Sequence, residues 1–170
     1  MTGGVYLEQK FIAVEGVIGV GKTTITEKIA DEFGFNILKE IVEENPFLEK
    51  FYENPEHWAF QTETFFLCNR YKQLQDMMAM KNEGKSVVAD YHIMKNHIFA
   101  KMNLNEEEYA KYKQLFDVFI DGFTHPNVII YCRASIEEIE RRIQKRSRDI
   151  EKNIEREYLE ELIDCYREEM

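Results

Sequence analysis

Residues 16–24 read GVIGVGKTT. A run this rich in glycine makes a poor helix and a poor strand. It nevertheless stands between an apolar run, FIAV, and ITEKIADEF, where apolar residues recur at helical spacing. Gly16, Gly21, Lys22 and Thr23 fit the phosphate-loop pattern G-x-x-x-x-G-K-[ST]. In such a loop, glycines let successive backbone N–H groups curl inward around one anion, and the following helix N-terminus adds partial positive charge. Lys22 is expected to reach the terminal phosphates and Thr23 to hold Mg²⁺. Gly16, Gly19, Gly21 and Thr24 complete the expected nucleotide cradle.

The rest of the chain alternates strand and helix. FIAVE lacks polar alternation, as a strand covered on both faces should. A helix is expected from Lys22 to about Phe33, stopped by Gly34. FNILKEI is a second strand candidate, and the two prolines of NPFLEKFYENPEHW mark short helix and turn. A long helix follows from Glu56 to about Lys81, then a third strand, SVVAD. Residues 96–121 read as two helical pieces, and HPNVIIYC as a turn and a fourth strand. Ser135 caps the next helix, because SIEE places a carboxylate three residues after a hydroxyl. A last helix begins near Ile154. This order predicts a parallel sheet covered by helices on both faces, in one domain spanning residues 1–170.

Composition narrows the partners. The net charge of -10 argues against a general nucleic-acid binder, since phosphate backbones are held mainly by Lys and Arg. No apolar run reaches membrane-spanning length, and MTGGVYLEQK lacks the apolar centre of a signal peptide. Cys68, Cys132 and Cys165 are odd in number and lack metal-ligand spacing, so they read as reduced thiols of a cytoplasmic protein.

A phosphate loop serves switches, motors and kinases. A guanine-nucleotide switch expects N-K-x-D after a later strand, where this chain has RASIEE. A kinase expects an arginine-rich lid, and RRIQKRSR offers Arg142, Arg146 and Arg148, whose guanidinium forks suit phosphate oxygens. Ligands of such sheets sit beyond the carboxyl ends of the strands. Glu40 and Asp90 fall there, each able to serve as base or as metal ligand. On the long helix, Thr62, Glu63, Phe66 and Arg70 share one stripe that mixes aromatic, acidic and basic side chains. A structural helix would segregate them; a pocket for a flat polar ligand would not. The alternative is an internal Glu63–Arg70 contact bordering the core.

Together these segments resemble the deoxynucleoside kinases. The likeness is carried by IAVEGVIGVGKTT, KEIVEENPFLEKFYENPEHWAFQTETFFLCNRYKQLQD, VVADYHIMKNHIFAKMNL and RIQKRSRDIEKNIEREYLEEL, in the right order over almost the whole chain. ADYHIMKN and ENPFLEKFY look nearest to bacterial deoxyguanosine kinases. The resemblance implies an α/β P-loop kinase fold of three layers with an arginine-rich lid. Its parallel sheet, normally of five strands, is expected here to have four, because the chain stops within a helix at CYREEM. It also implies transfer of a phosphoryl group from ATP or another nucleoside triphosphate, with Mg²⁺, to the 5′-hydroxyl of a deoxynucleoside, and a homodimer. By position, Glu40 is expected near that hydroxyl as base, Tyr52 and Glu151 at the sugar 3′-hydroxyl, and Arg142, Arg146 and Arg148 in the lid. Asp90 matches the acid of the family's D/E-R-S signature and stays a rival candidate for base, with the metal as its other role. Asn96 falls at the usual base-contact position.

Two departures bear on the substrate. The signature arginine is replaced by Tyr91, placed at the substrate site by the resemblance, and Lys95 is a candidate for the missing charge. Many members have glutamine where this chain has Glu63. An ionised carboxylate only accepts hydrogen bonds. It therefore suits the two adjacent donors of guanine, with Arg70 available for the guanine carbonyl, and favours deoxyguanosine. The alternatives are a deoxyadenosine or broad-range kinase, a nucleoside monophosphate kinase, and a nucleotide-binding switch. The monophosphate kinase would need a basic acceptor subsite, where KEIVEEN is acidic.

Overall fold

Strand β1 (Phe11–Glu15) is buried along nearly its whole length, as its unbroken apolar sequence predicts. The computed structural model describes residues 9–42, 44–146 and 154–170. β1 pairs in parallel with β3 (Val87–Ala89) on one side and β4 (Val128–Tyr131) on the other, Ile12 standing opposite Val88 and Val128. β2 (Asn36–Leu38) joins the far side of β3, giving the order β2-β3-β1-β4. β2 is shorter than FNILKEI suggests. Its partner β3 has only three residues, so the ladder ends at Leu38 and leaves Lys39 and Glu40 beyond the sheet.

Seven helices appear among the described residues. α1 (Lys22–Phe33) rises from the phosphate loop, ends at Gly34 and packs on β1, β2 and β3. α2 (Leu48–Glu53) is short, and Pro55 occupies the first turn of α3 (Pro55–Asn82), where its missing N–H costs nothing. α3 has 28 residues and is met by α2, α4 (Met94–Asn103), α5 (Glu106–Ile120) and β3. Partners on several sides explain why its buried positions do not form a single apolar stripe. α6 (Ile136–Arg146) starts as expected, with the Glu138 N–H donating to Ser135 Oγ at 3.3 Å. The Glu138 carboxylate does not return to the cap; it accepts from Arg141 and Arg142 instead. α7 (Arg156–Glu169) packs on α4 and α6. No described helix is long and apolar enough to cross a membrane.

The core is divided by the sheet and helices. Leu48, Phe51, Phe66, Leu67, Leu104 and Phe116 join α2, α3, α4 and α5. Val17, Val20, Ile98, Ile139 and Leu162 seat the phosphate loop against α4, α6 and α7. That packing explains two loop glycines. A Cβ on Gly16 (φ +150°) would lie 2.5 Å from the Cys132 carbonyl oxygen, and one on Gly19 (φ +79°) 2.8 Å from Ile143 Cγ1.

Candidate active site

A cavity of about 420 Å³ opens beyond the carboxyl ends of the strands. Gly19, Gly21, Lys22, Thr23 and Thr24 line one end, Arg142 and Arg146 overhang it from α6, and Glu40, Tyr52, Glu63, Arg70 and Asp90 line the remainder. These twelve residues, all singled out from sequence, thus meet in one space. Arg148 and Glu151 lie outside the described residues.

At the loop, Lys22 Nζ donates to the Gly16 and Val17 carbonyls at 2.7 and 3.0 Å. Gly16 contributes through that carbonyl and does not line the cavity. Burial, and then the nearby Lys95, pushes the Lys22 ammonium down to about 8. Arg142 donates to the Val20 carbonyl and is held by Glu138. The lid helix is therefore latched to the phosphate loop.

Asp90 and Glu40 occupy different electrostatic settings. Asp90 Oδ2 accepts from Thr23 Oγ1 at 3.1 Å, while Oδ1 accepts from the Glu40 N–H at 2.6 Å. Glu40 is gripped by Arg70 and by Lys95, the latter at 2.7 Å, with all three side chains at most 10% exposed. Burial pushes the Glu40 carboxyl up, but Lys95, Arg70 and Lys22 outweigh it and hold the group well below the usual carboxylate range. Lys95 thus brings a cation to Glu40 in a chain whose signature arginine is missing.

Three sequence expectations require correction. Arg70, expected to be available for the guanine carbonyl, is instead engaged by Glu40, where an ionised partner offsets its desolvation. Tyr91 faces away from the main cavity. Its ring packs in the apolar cluster with Phe11, Leu38 and Leu74 and lines a separate cavity of about 90 Å³. The turn after β3 directs Asp90 to the main cavity and buries the next residue behind it. Asn96 is fully buried and donates to the Tyr112 hydroxyl at 3.0 Å, so it too stands behind the cavity wall.

Sequence reasoning missed Asn103 and Tyr158, which line the cavity. Asn103 Nδ2 donates to Glu63 Oε1 at 2.8 Å. Burial pushes the Glu63 carboxyl up to about 7, against the partial opposition of the Asn103 hydrogen bond, Arg70 and Lys95. It also missed Glu15, which is fully buried and accepts from the Gly16 and His92 N–H groups at 2.7 Å each and from the Tyr166 hydroxyl at 3.1 Å. This carboxylate ties the loop entry to the segment after β3 and to α7. The signal was a lone acid closing an otherwise apolar strand immediately before the glycine loop.

A phosphate loop, an overhanging arginine helix and an adjoining cavity lined by buried carboxylates form the site of a phosphoryl-transferring kinase. The deoxynucleoside kinase family model matches residues 12–170, and the chain belongs to that family. It is 50% identical over 157 residues to a deoxyguanosine kinase of Bacillus subtilis, covering 92% of this chain and 76% of that protein. A deoxyadenosine/deoxycytidine kinase of the same organism is 36% identical over 163 residues, covering 91% of this chain and 74% of that protein. A solved deoxyadenosine kinase from M. mycoides with bound dATP superposes with a TM-score of 0.80 at 33% identity, covering 93% of this chain and 82% of that one. The same enzyme with bound dCTP gives 0.81 at 31% identity and the same coverage. The chain is accordingly a phosphotransferase of parallel α/β fold.

Proposed function

We propose that this enzyme transfers the terminal phosphoryl group of ATP to the 5′-hydroxyl of a purine deoxynucleoside, with deoxyguanosine preferred. The observation carrying the base assignment is Glu63, 2% exposed in the wall of the cavity. The similarity to a deoxyguanosine kinase supports the same choice. An ionised Glu63 accepts from both guanine donors, N1–H and the exocyclic amine, whereas adenine turns a ring acceptor toward it. Phe66 and Phe51 supply apolar surface for the ring.

Mg²⁺ fits the oxygen donors at the loop. Thr23 and Asp90 meet at 3.1 Å, and no group of three or more His, Cys, Asp or Glu forms a metal cage among the described residues. Such a donor set suits an ion held largely by nucleotide phosphates and water. Mg²⁺ would supply charge neutralisation between the phosphates. Lys22, Arg142 and Arg146 would hold the triphosphate, Glu40 would orient the acceptor hydroxyl, and Tyr52 would meet the sugar. A cytoplasmic homodimer belongs to the same reading, supported by the family resemblance and by Leu115 and Val118 exposed on α5.

Specificity is tested by steady-state kinetics with Mg-ATP and each deoxynucleoside and monophosphate. Deoxyguanosine should exceed deoxyadenosine by at least about a hundredfold in kcat/KM, because the wrong base leaves buried polar groups unpaired. Deoxyinosine should react less well than deoxyguanosine, and Glu63→Gln should narrow the purine gap. A preference for deoxyadenosine at alkaline pH would sink the reading of Glu63. A second assay concerns the lid: Arg146→Ala should lower kcat more than it weakens nucleoside binding, since a guanidinium there acts on the transferring phosphate. Unchanged kcat would remove Arg146 from that role.

A further inference from the structure

We infer that Asn103 is a specificity-determining residue, which selects purine by fixing the proton and orientation of Glu63. The inference rests on the proposed contact between Glu63 and the base. Asn103 is the last residue of α4, and its amide reaches across the cavity wall to α3. Nδ2 donates to Glu63 Oε1 at 2.8 Å, while among the described residues no hydrogen bond reaches Oε2. The Tyr158 hydroxyl lies 3.5 Å from both ends of the Asn103 amide, and the Tyr112 hydroxyl holds the Glu63 backbone carbonyl at 3.5 Å. Glu63 is therefore fixed from behind, with one carboxylate oxygen assigned.

That assignment has a chemical consequence. An N–H aimed at Oε1 requires Oε1 to accept, so any proton on the carboxyl must sit on Oε2. Ionised Glu63 presents only acceptors to the base and matches guanine. Neutral Glu63 presents an O–H donor from Oε2, which matches the ring N1 of adenine. Asn103 thus places the proton as well as opposing its uptake.

The surrounding charges leave this balance poised. Arg70 lies on the same helix, Lys95 joins Asn103 on α4, Glu40 follows β2, Tyr112 comes from α5 and Tyr158 from α7, with Tyr52 of α2 beside Tyr158. Both cations are engaged by Glu40, so neither is dedicated to Glu63. Burial meanwhile pushes the Glu63 carboxyl up to about 7. Its charge is gained as pH rises through that value, so guanine selection should strengthen with pH.

The experiment measures kcat/KM for deoxyguanosine and deoxyadenosine from pH 6 to 9 in wild type, Asn103→Leu, Asn103→Asp, Glu63→Gln and Glu63→Gln/Asn103→Leu. In wild type the deoxyguanosine:deoxyadenosine ratio should rise by up to about a hundredfold over the first two pH units, because the ionised fraction of Glu63 rises about tenfold while the neutral fraction falls about tenfold. Asn103→Leu should move that rise up by about one pH unit, because the donor favouring the carboxylate is lost. Asn103→Asp, which keeps the shape, should move it in the same direction and further. Glu63→Gln should give a ratio independent of pH, and adding Asn103→Leu should not change it. An unmoved profile in both Asn103 variants overturns the inference while leaving the guanine reading intact. So does a change of the ratio by Asn103→Leu in the Glu63→Gln background as large as that in wild type, which would mean that Asn103 acts on the base by shape. A wild-type ratio below one at pH 9 instead overturns the reading of Glu63 itself.

Discussion

Glu40→Gln is expected to lower kcat by roughly a hundredfold or more while nucleoside binding is largely retained, a barrier increase of about 2.7 kcal/mol. The reason is not that Glu40 is a strong base. Lys95 and Arg70 hold its carboxyl well below the usual range despite burial, so it is ionised at any working pH and has little appetite for a proton. Phosphoryl transfer does not demand a strong base. In a loose transition state the acceptor hydroxyl gives up its proton late, as the bond to phosphorus forms. Until then the carboxylate orients the hydroxyl, and glutamine copies the shape without the proton acceptor. A second loss is indirect: Glu40 is one of three carboxylates supporting the charge on Lys22, so its neutralisation drives that ammonium further down. The variant also leaves Arg70 and Lys95 together without a counter-charge, for which breaking a buried pair costs about 3–5 kcal/mol of stability. Thermal unfolding measured beside kinetics separates the two effects, since saturating Mg-ATP offsets lost stability but not a lost proton acceptor. Asp90→Asn is the control. It should weaken dependence on Mg²⁺ through the Thr23 side of the site. If Asp90→Asn instead abolished the acid limb of the pH profile and left metal dependence intact, while Glu40→Gln did neither, the two roles would be exchanged.

The parts of this site written in local chemistry were legible in the sequence. GVIGVGKTT needs its glycines where a backbone carbonyl and an isoleucine crowd the loop, and Ser135 caps α6 because a hydroxyl three residues before a free N–H satisfies it. The mixed stripe on α3 also survives: Thr62, Glu63, Phe66 and Arg70 all line the cavity. What failed were statements about partners distant in sequence. Arg70 had two acids within plausible reach, and only the placement of Lys39 and Glu40 past the short β2–β3 ladder decides for Glu40. Asn96 and Asn103 are two asparagines seven residues apart on one helix. Two helical turns bring such positions close to the same side, so periodicity cannot say which one meets Glu63. The packing of α5 decides it, by taking Asn96 as partner for Tyr112. Tyr91 illustrates the opposite error. The family resemblance put it at the position of the signature arginine, but an aromatic ring gains more from the apolar cluster behind β3 than from a charged cavity. Lys95, one turn further on, reaches Glu40 from α4.

Lys22→Ala should reduce kcat by about 10²–10³-fold or more, the effect of deleting a preorganised charge from a transferring phosphoryl group. Lys22 is half-buried, and its Nζ is held by the Gly16 and Val17 carbonyls at the mouth of the loop. Those contacts aim the ammonium without neutralising it. Two carbonyl dipoles compensate a desolvated cation only in part, which leaves Lys22 down at about 8. Removing a partly desolvated charge spares its burial cost, so the alanine variant should fold and keep its nucleoside affinity. Circular dichroism and nucleoside titration check that separately from turnover. Arginine should not rescue, because a planar fork cannot replace a compact ammonium in a loop packed directly beneath Arg142. The pH profile supplies the sharper result. For a lysine held below its usual value the charged form is lost as pH rises, so kcat/KM for ATP should fall above about 8, by about tenfold per unit. A bound triphosphate favours the charged ammonium, so the corresponding limb of kcat should lie at higher pH. Coincident limbs would mean that Lys22 does not contact the phosphates when they are bound, and full turnover in Lys22→Ala would remove the loop from the chemistry altogether.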